Sequence, residues 1–205
     1  MGKIKLYKSL NDEEKQRIYT FMSLEVDYIN SIEQINEVYD SNIYDYGNGA
    51  LFYFTEDKVV ASLCVVLEVA ESLKTAYIHK IVIDKEIENA SEVLDALIQK
   101  GILIAKDYNV SNIKLGLDKK ALKYLEKYGF EYEYRATKMK LEDRKKRYET
   151  LCLKELSKSN KERYVEIYNE SFSDMPHGTI VDIETVNDFS INQKDEGKEI
   201  FYCLW

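Results

Sequence analysis

The chain has 205 residues, 45% of them hydrophobic and 32% charged, a globular mix that excludes a disordered polymer. Its net charge of -8 argues against nucleic acid as the main partner, because phosphate backbones are met by Lys/Arg surfaces. Nowhere do 18 apolar residues follow one another, so no membrane span is expected, and the opening residues read as lacking a signal-peptide core.

Residues 3–9 alternate and predict a strand. Asn11 and Glu14 form a capping box that starts a helix running to about Val26, with Ile18, Phe21 and Met22 on one face. Ser31 begins a second helix, whose Ile32, Ile35, Val38 and Tyr39 share a face. Gly47-Asn48-Gly49 breaks the chain. Residues 50–56, 59–70 and 75–84 then read as three strands of an antiparallel meander. Asn89 with Glu92 reads as a second capping box. The helix after it carries Leu94, Leu97, Ile98, Gly101, Ile104 and Ala105 at helical spacing, with Gly101 marking close packing on the sheet. A strand at 112–117, a short helix at 119–128 closed by Gly129, and a long strand at 130–141 follow.

The pattern restarts after the polar run 142–147. A strand at 149–156, helices at 160–172 and about 182–191, and a strand at 199–205 repeat the opening order, with a period of roughly 145 residues. The expected division is residues 1–144 and 145–205. Lys145, Lys146 and Arg147, the densest basic run, read as a solvated turn between the two. Cys64, Cys152 and Cys203 have no C-x-x-C spacing, and two isolated histidines, His79 and His177, give no metal site. Cys64 lies in an apolar run and reads as a core thiol. The cysteine set points to a reducing compartment, the cytoplasm.

This order of elements, with Ala121-Leu-Lys-Tyr-Leu-Glu-Lys-Tyr-Gly129-Phe130 as its closing segment, resembles the GNAT superfamily of acetyl-CoA-dependent N-acyltransferases over about residues 3–142. The resemblance implies an α/β (α+β) fold with a mixed, mostly antiparallel sheet flanked by helices. It implies acetyl-CoA as donor and an amine as acceptor. Residues 149–205, including Ser171-Phe-Ser-Asp-Met-Pro176, resemble the start of a second module in a tandem GNAT protein. By family position, Ile81, Val82 and Ile83 would meet the pantetheine arm of the coenzyme, and Asn89, Ala90 and Ser91 its phosphates, because a helix N-terminus accepts anions.

The sequence departs from the family in three places. The loop Val82-Ile-Asp-Lys-Glu-Ile-Glu-Asn-Ala-Ser-Glu92 contains no glycine, and Asp84, Glu86, Glu88 and Glu92 surround Lys85. Like charges near a surface cost on the order of 1 kcal/mol per pair, so this loop is expected to hold coenzyme A poorly. Leu125 stands where the family commonly has the tyrosine that protonates the leaving thiolate. Tyr124 and Tyr128 lie on other faces of that helix, leaving Tyr124 a candidate donor or a packing residue. Asp118 stands where the family often has asparagine. His79, on the fourth strand beside Tyr77, Ile81 and Ile83, is the candidate general base or a hydrogen-bonded strand histidine, with Glu68 a second candidate. Tyr44 and Tyr46 could line a substrate pocket or be surface and edge tyrosines.

Two functions follow as expectations: acetyl transfer to a small-molecule or peptide amine, or a non-catalytic GNAT-fold scaffold that has lost coenzyme A. The apolar strand Glu199-Ile-Phe-Tyr-Cys-Leu-Trp205 would be an aggregation hazard at an open edge. It is expected to pair with the first module or with another copy of the chain. Deleting residues 199–205 should change oligomeric state or solubility in size-exclusion chromatography; an unchanged monomer would contradict this.

Overall fold

A computed structural model describes residues 2–25, 29–56, 58–116, 125–133, 153–172, 180–187 and 201–203, the segments 153–155 and 201–203 by backbone alone. The chain divides into two compact units, Met1–Asp118 and Lys119–Trp205.

The first unit is built on a five-stranded sheet of order β1-β2-β3-β4-β5. Its strands are β1 (Lys3–Leu6), β2 (Ala50–Phe54), β3 (Val59–Val66), β4 (Thr75–Ile83) and β5 (Asn112–Leu115). β1 to β4 are antiparallel neighbours, and β5 joins β4 in parallel. β3 is shorter than the expected 59–70, because Ala70–Leu73 turn into a short helix, α3.

Helices α1 (Asp12–Glu25) and α2 (Ile32–Tyr39) cover one face. The capping box forms as expected: the Glu14 N–H donates to Asn11 Oδ1 at 2.9 Å and the Asn11 N–H donates to Glu14 Oε2 at 3.1 Å. Ser31 sits in extended backbone and accepts from the Gln34 N–H, so it caps α2. Ile18, Phe21 and Met22 of α1 and Ile35 and Tyr39 of α2 are buried. Several tyrosines belong to this core rather than to the surface. Tyr7, Tyr39 and Tyr44 are each at most 2% exposed. Tyr39 meets Phe52 edge-on at 5.1 Å between ring centroids, the geometry aromatic quadrupoles favour. The Tyr7 hydroxyl is satisfied by Asn36 Oδ1 at 2.5 Å.

Helix α4 (Ala90–Asp107) covers the other face with Val93, Leu97, Ile98, Gly101, Ile104 and Ala105 buried. Val93, not Leu94, begins the buried stripe. A Cβ on Gly101 would lie 3.1 Å from Leu63 and 3.4 Å from Val65 of β3, and 3.5 Å from Ile78 of β4. The missing side chain therefore lets the helix backbone approach the sheet.

Between α2 and β2 the chain turns through a left-handed run, Asp45 (φ 45°), Tyr46 (φ 50°) and Gly47 (φ 86°). Asp45 anchors it by accepting hydrogen bonds from the Tyr108 hydroxyl and from Asn48 Nδ2.

In the second unit, Leu125 is buried at 4% exposure, and Gly129 ends a turn in the left-handed region as expected. Residues 130–133 form no strand, contrary to expectation, and 134–141 lie outside the described residues. β6 (Leu153–Glu155) pairs antiparallel with β7 (Phe201–Cys203). β7 thus finds a strand partner within its own unit. Helix α5 (Lys161–Phe172) follows β6. Asn169 of α5 exchanges two hydrogen bonds with the Val181 backbone, ahead of a helical turn at 183–187 capped by Asp182. Among the described residues no helix is long and apolar enough to cross a membrane.

Replacing Gly101 by valine should lower stability by about 1–3 kcal/mol through overpacking, read as an earlier midpoint in urea. A midpoint unchanged from the parent would show that α4 has slack against the sheet.

Candidate active site

β4 and β5 pair over only four positions, from Thr75↔Asn112 to Ile78↔Leu115. The Gly116 N–H then donates to the Ile78 carbonyl, the last β4–β5 bond among the described residues. β4 itself continues to Ile83. Past Ile78 it pairs on one side with β3, through His79↔Cys64, Val82↔Ser62 and Ile83↔Ala61. The edge facing β5 has no strand partner from Lys80 to Ile83 among the described residues. Two parallel strands that part in this way leave a fork with backbone N–H and C=O groups along one tine. An extended ligand carrying amides can pair with such an edge.

A bulge lies at the fork. β4 has one residue more than β3 between the pairs His79↔Cys64 and Val82↔Ser62. Lys80 takes up the extra residue at φ 48°, an uncommon conformation for an L side chain. Side chains alternate faces along a strand, so the inserted residue reverses the alternation beyond it. Val82 thereby packs against the α1/α2 core, the face that holds Tyr77 and Cys64. The expected set of His79 with Ile81 and Ile83 on one face is corrected by this bulge.

His79 stands one residue past the last β4–β5 pair. Its Nε2 lies 3.0 Å from the Tyr44 hydroxyl, a hydrogen bond that either group can donate. The Lys80 ammonium lies 5.6 Å from the centre of the Tyr44 ring. Tyr44 comes from the turn before β2 and is buried, whereas Tyr46 is 60% exposed. The expected pair of pocket tyrosines is therefore one buried tyrosine on the histidine and one surface tyrosine. Cys64, opposite His79 in the register, is fully buried, and burial pushes its thiol up to about 12. It is a packing group rather than a nucleophile. Glu68 follows β3, and its N–H reaches the Ile43 carbonyl, next to Tyr44. Partial desolvation raises its carboxyl above the ordinary range.

The loop from β4 to α4 is folded onto itself. Asp84 Oδ1 accepts the Glu86 N–H at 2.9 Å, and the Asp84 carbonyl accepts the Ile87 N–H at 3.3 Å. Asp84 Oδ2 takes the Lys58 ammonium at 2.7 Å, which holds the Asp84 carboxyl below its ordinary pKa. Lys85 pairs with Glu25 at 3.7 Å. Lys58, Asp84 and Lys85, with Phe21 and Leu24, line a cleft of about 420 Å³ against the end of α1. The expected Asn89–Glu92 capping box does not form. Asn89 has ψ 37° instead of the extended value of a capping residue, and its side chain accepts no cap hydrogen bond. The Glu92 and Val93 N–H groups bond the Asn89 carbonyl.

The structure thus places Ile81, Val82 and Ile83 on the open tine and Asn89, Ala90 and Ser91 at the start of α4. Tyr124, Asp118 and His177 lie outside the described residues. Sequence reasoning missed the Tyr44–His79 bond and the Lys58–Asp84 pair, which join residues 35 and 26 positions apart. It also missed the bulge, whose one sequence signal is the unalternating run Ile81-Val82-Ile83.

No protein-family model and no curated protein matches the sequence. Solved structures do match the fold. A putative acetyltransferase from Pyrococcus horikoshii aligns with 99% of this chain and 65% of its own length, at TM-score 0.59 and 16% identity. An acetyltransferase from Trypanosoma brucei aligns over 69% of this chain and all of its own, at TM-score 0.55 and 15% identity. A transcriptional regulator from Bacillus halodurans gives the same coverage at TM-score 0.51 and 15% identity. The forked mixed sheet with its flanking helices is the GNAT fold, the fold of the N-acetyltransferase superfamily.

A β-branched side chain cannot sit comfortably at φ 48°, so Lys80→Ile should cost about 1–3 kcal/mol, whereas Lys80→Gly should not destabilise. Chemical denaturation of both variants checks this, and equal losses would show that the Lys80 backbone is not held left-handed.

Proposed function

We propose that the chain is a GNAT-type N-acyltransferase that moves an acetyl group from a pantetheine thioester to an amine. The observation that carries this reading is the fork: an open β4 tine that begins one residue past a histidine hydrogen-bonded to a buried tyrosine. In the reaction a C–N bond forms at the acceptor nitrogen, and the thioester C–S bond breaks. The acceptor must give up a proton, because an ammonium has no lone pair for attack. His79 takes that proton, and Tyr44 orients its ring through Nε2. The leaving sulfur takes up a proton in return. The arm of acetyl-CoA fits the tine, since the amide groups of pantetheine can pair with the β4 edge from Lys80 to Ile83, which has no strand partner among the described residues. The acceptor class is an amine of a small molecule or a peptide.

Residues 145–205 are proposed as the opening of a second GNAT module. The coverage of nearly the whole chain by one longer Pyrococcus horikoshii chain supports this. The widely spaced cysteines support a cytoplasmic setting, and a homo-oligomer through the C-terminal strand is proposed with it.

A second reading, a non-catalytic scaffold, is favoured by one observation: the self-closed acidic loop between β4 and α4. The two readings separate in one assay. A panel of primary amines and N-terminal peptides is incubated with the protein and acetyl-CoA, and thiol release is followed. The enzyme reading expects turnover that falls by about 10²–10⁴ in kcat in His79→Ala, with thioester binding kept. Binding and turnover both absent would leave the scaffold.

A further inference from the structure

The two halves of an acyl-CoA meet opposite surfaces in this unit. The thioester arm is uncharged along its amides and would meet the β4 edge from Lys80 to Ile83, which has no strand partner among the described residues. The nucleotide half is a polyanion and would meet the loop of Asp84 to Asn89. That loop and the first turn of α4 carry Asp84, Glu86, Glu88 and Glu92. The nearby ammonium groups are already turned to carboxylates, Lys58 to Asp84 and Lys85 to Glu25. The Glu86 and Ile87 N–H groups, which a glycine-rich loop would aim at phosphate, point back at Asp84. The residues present therefore fit the arm and do not fit the phosphates.

We infer that the donor site recognises its thioester through the pantetheine arm alone, and that the nucleotide contributes no binding. This rests on the transferase reading above and narrows it: the donor class is a pantetheine thioester, with coenzyme A one carrier among others of that arm. Two consequences separate this from an ordinary acetyl-CoA site. Affinity should not fall as salt rises, because screening weakens attractive charge pairs that this site does not form with its donor and relieves the repulsion between the loop carboxylates and the phosphates. Removing negative charge from the loop should improve binding only of the donor that carries phosphates.

The test is calorimetric titration of the full chain with acetyl-CoA and, separately, with S-acetylpantetheine, at low and high salt. The expected result is that acetyl-CoA binds no tighter than S-acetylpantetheine, and up to about tenfold weaker at low salt. The double variant Glu86→Gln/Glu88→Gln should then bind acetyl-CoA about tenfold tighter, the effect of removing roughly 1 kcal/mol of repulsion or slightly more, and S-acetylpantetheine unchanged. Both positions are in a surface loop, and circular dichroism confirms that the variant is folded. Acetyl-CoA binding more than about thirtyfold tighter than S-acetylpantetheine would overturn this inference and leave the transferase reading standing. Absence of binding by either donor would overturn both.

Discussion

Two parallel strands that stop pairing early govern the layout of the first unit. Among the described residues β5 pairs with β4 only as far as Leu115, and β4 is held for its remaining length by β3. A strand paired on one side has unused hydrogen-bonding groups on the other, and water or a ligand must satisfy them. The bulge at Lys80 sits where the strands part and adds local twist. It also sends Val82 into the α1/α2 core, so the open tine is anchored by packing on one face.

Around this fork the electrostatics are uneven. The vertex holds His79 and Tyr44 against a buried thiol, with Lys80 over the tyrosine ring. The far end of the tine runs into carboxylates that find their partners within the protein. Asp84 does three jobs there: it orders the turn, pairs with Lys58, and forms a wall of the cleft beside α1. A side chain so engaged has little freedom to make way for a phosphate.

What the sequence made legible was local. The capping box of Asn11 and Glu14, the cap at Ser31 and the close approach at Gly101 involve neighbours a few residues apart or a single missing side chain. The order of strands and helices followed from hydrophobic periodicity, and the GNAT fold from the resemblance of that order and of the segment Ala121–Phe130 to the family. What it hid was nonlocal or conformational. Asn89-x-x-Glu92 has the same letters as Asn11-x-x-Glu14, yet only the first helix closes a box, because Asn89 is not extended. The β4 register is set by its pairing with β3, so an extra residue at Lys80 leaves almost no local mark. The Tyr44–His79 contact likewise exists only once α2, the turn and β4 are assembled.

The burial of Cys64 carries a consequence for how such a centre would age. Its sulfur lies directly across the sheet from His79, yet it is wholly enclosed and strongly biased toward the protonated form. Peroxides and electrophiles attack thiolates that they can reach. Cys64 is therefore shielded from oxidation, even though its sulfur sits within one strand spacing of His79.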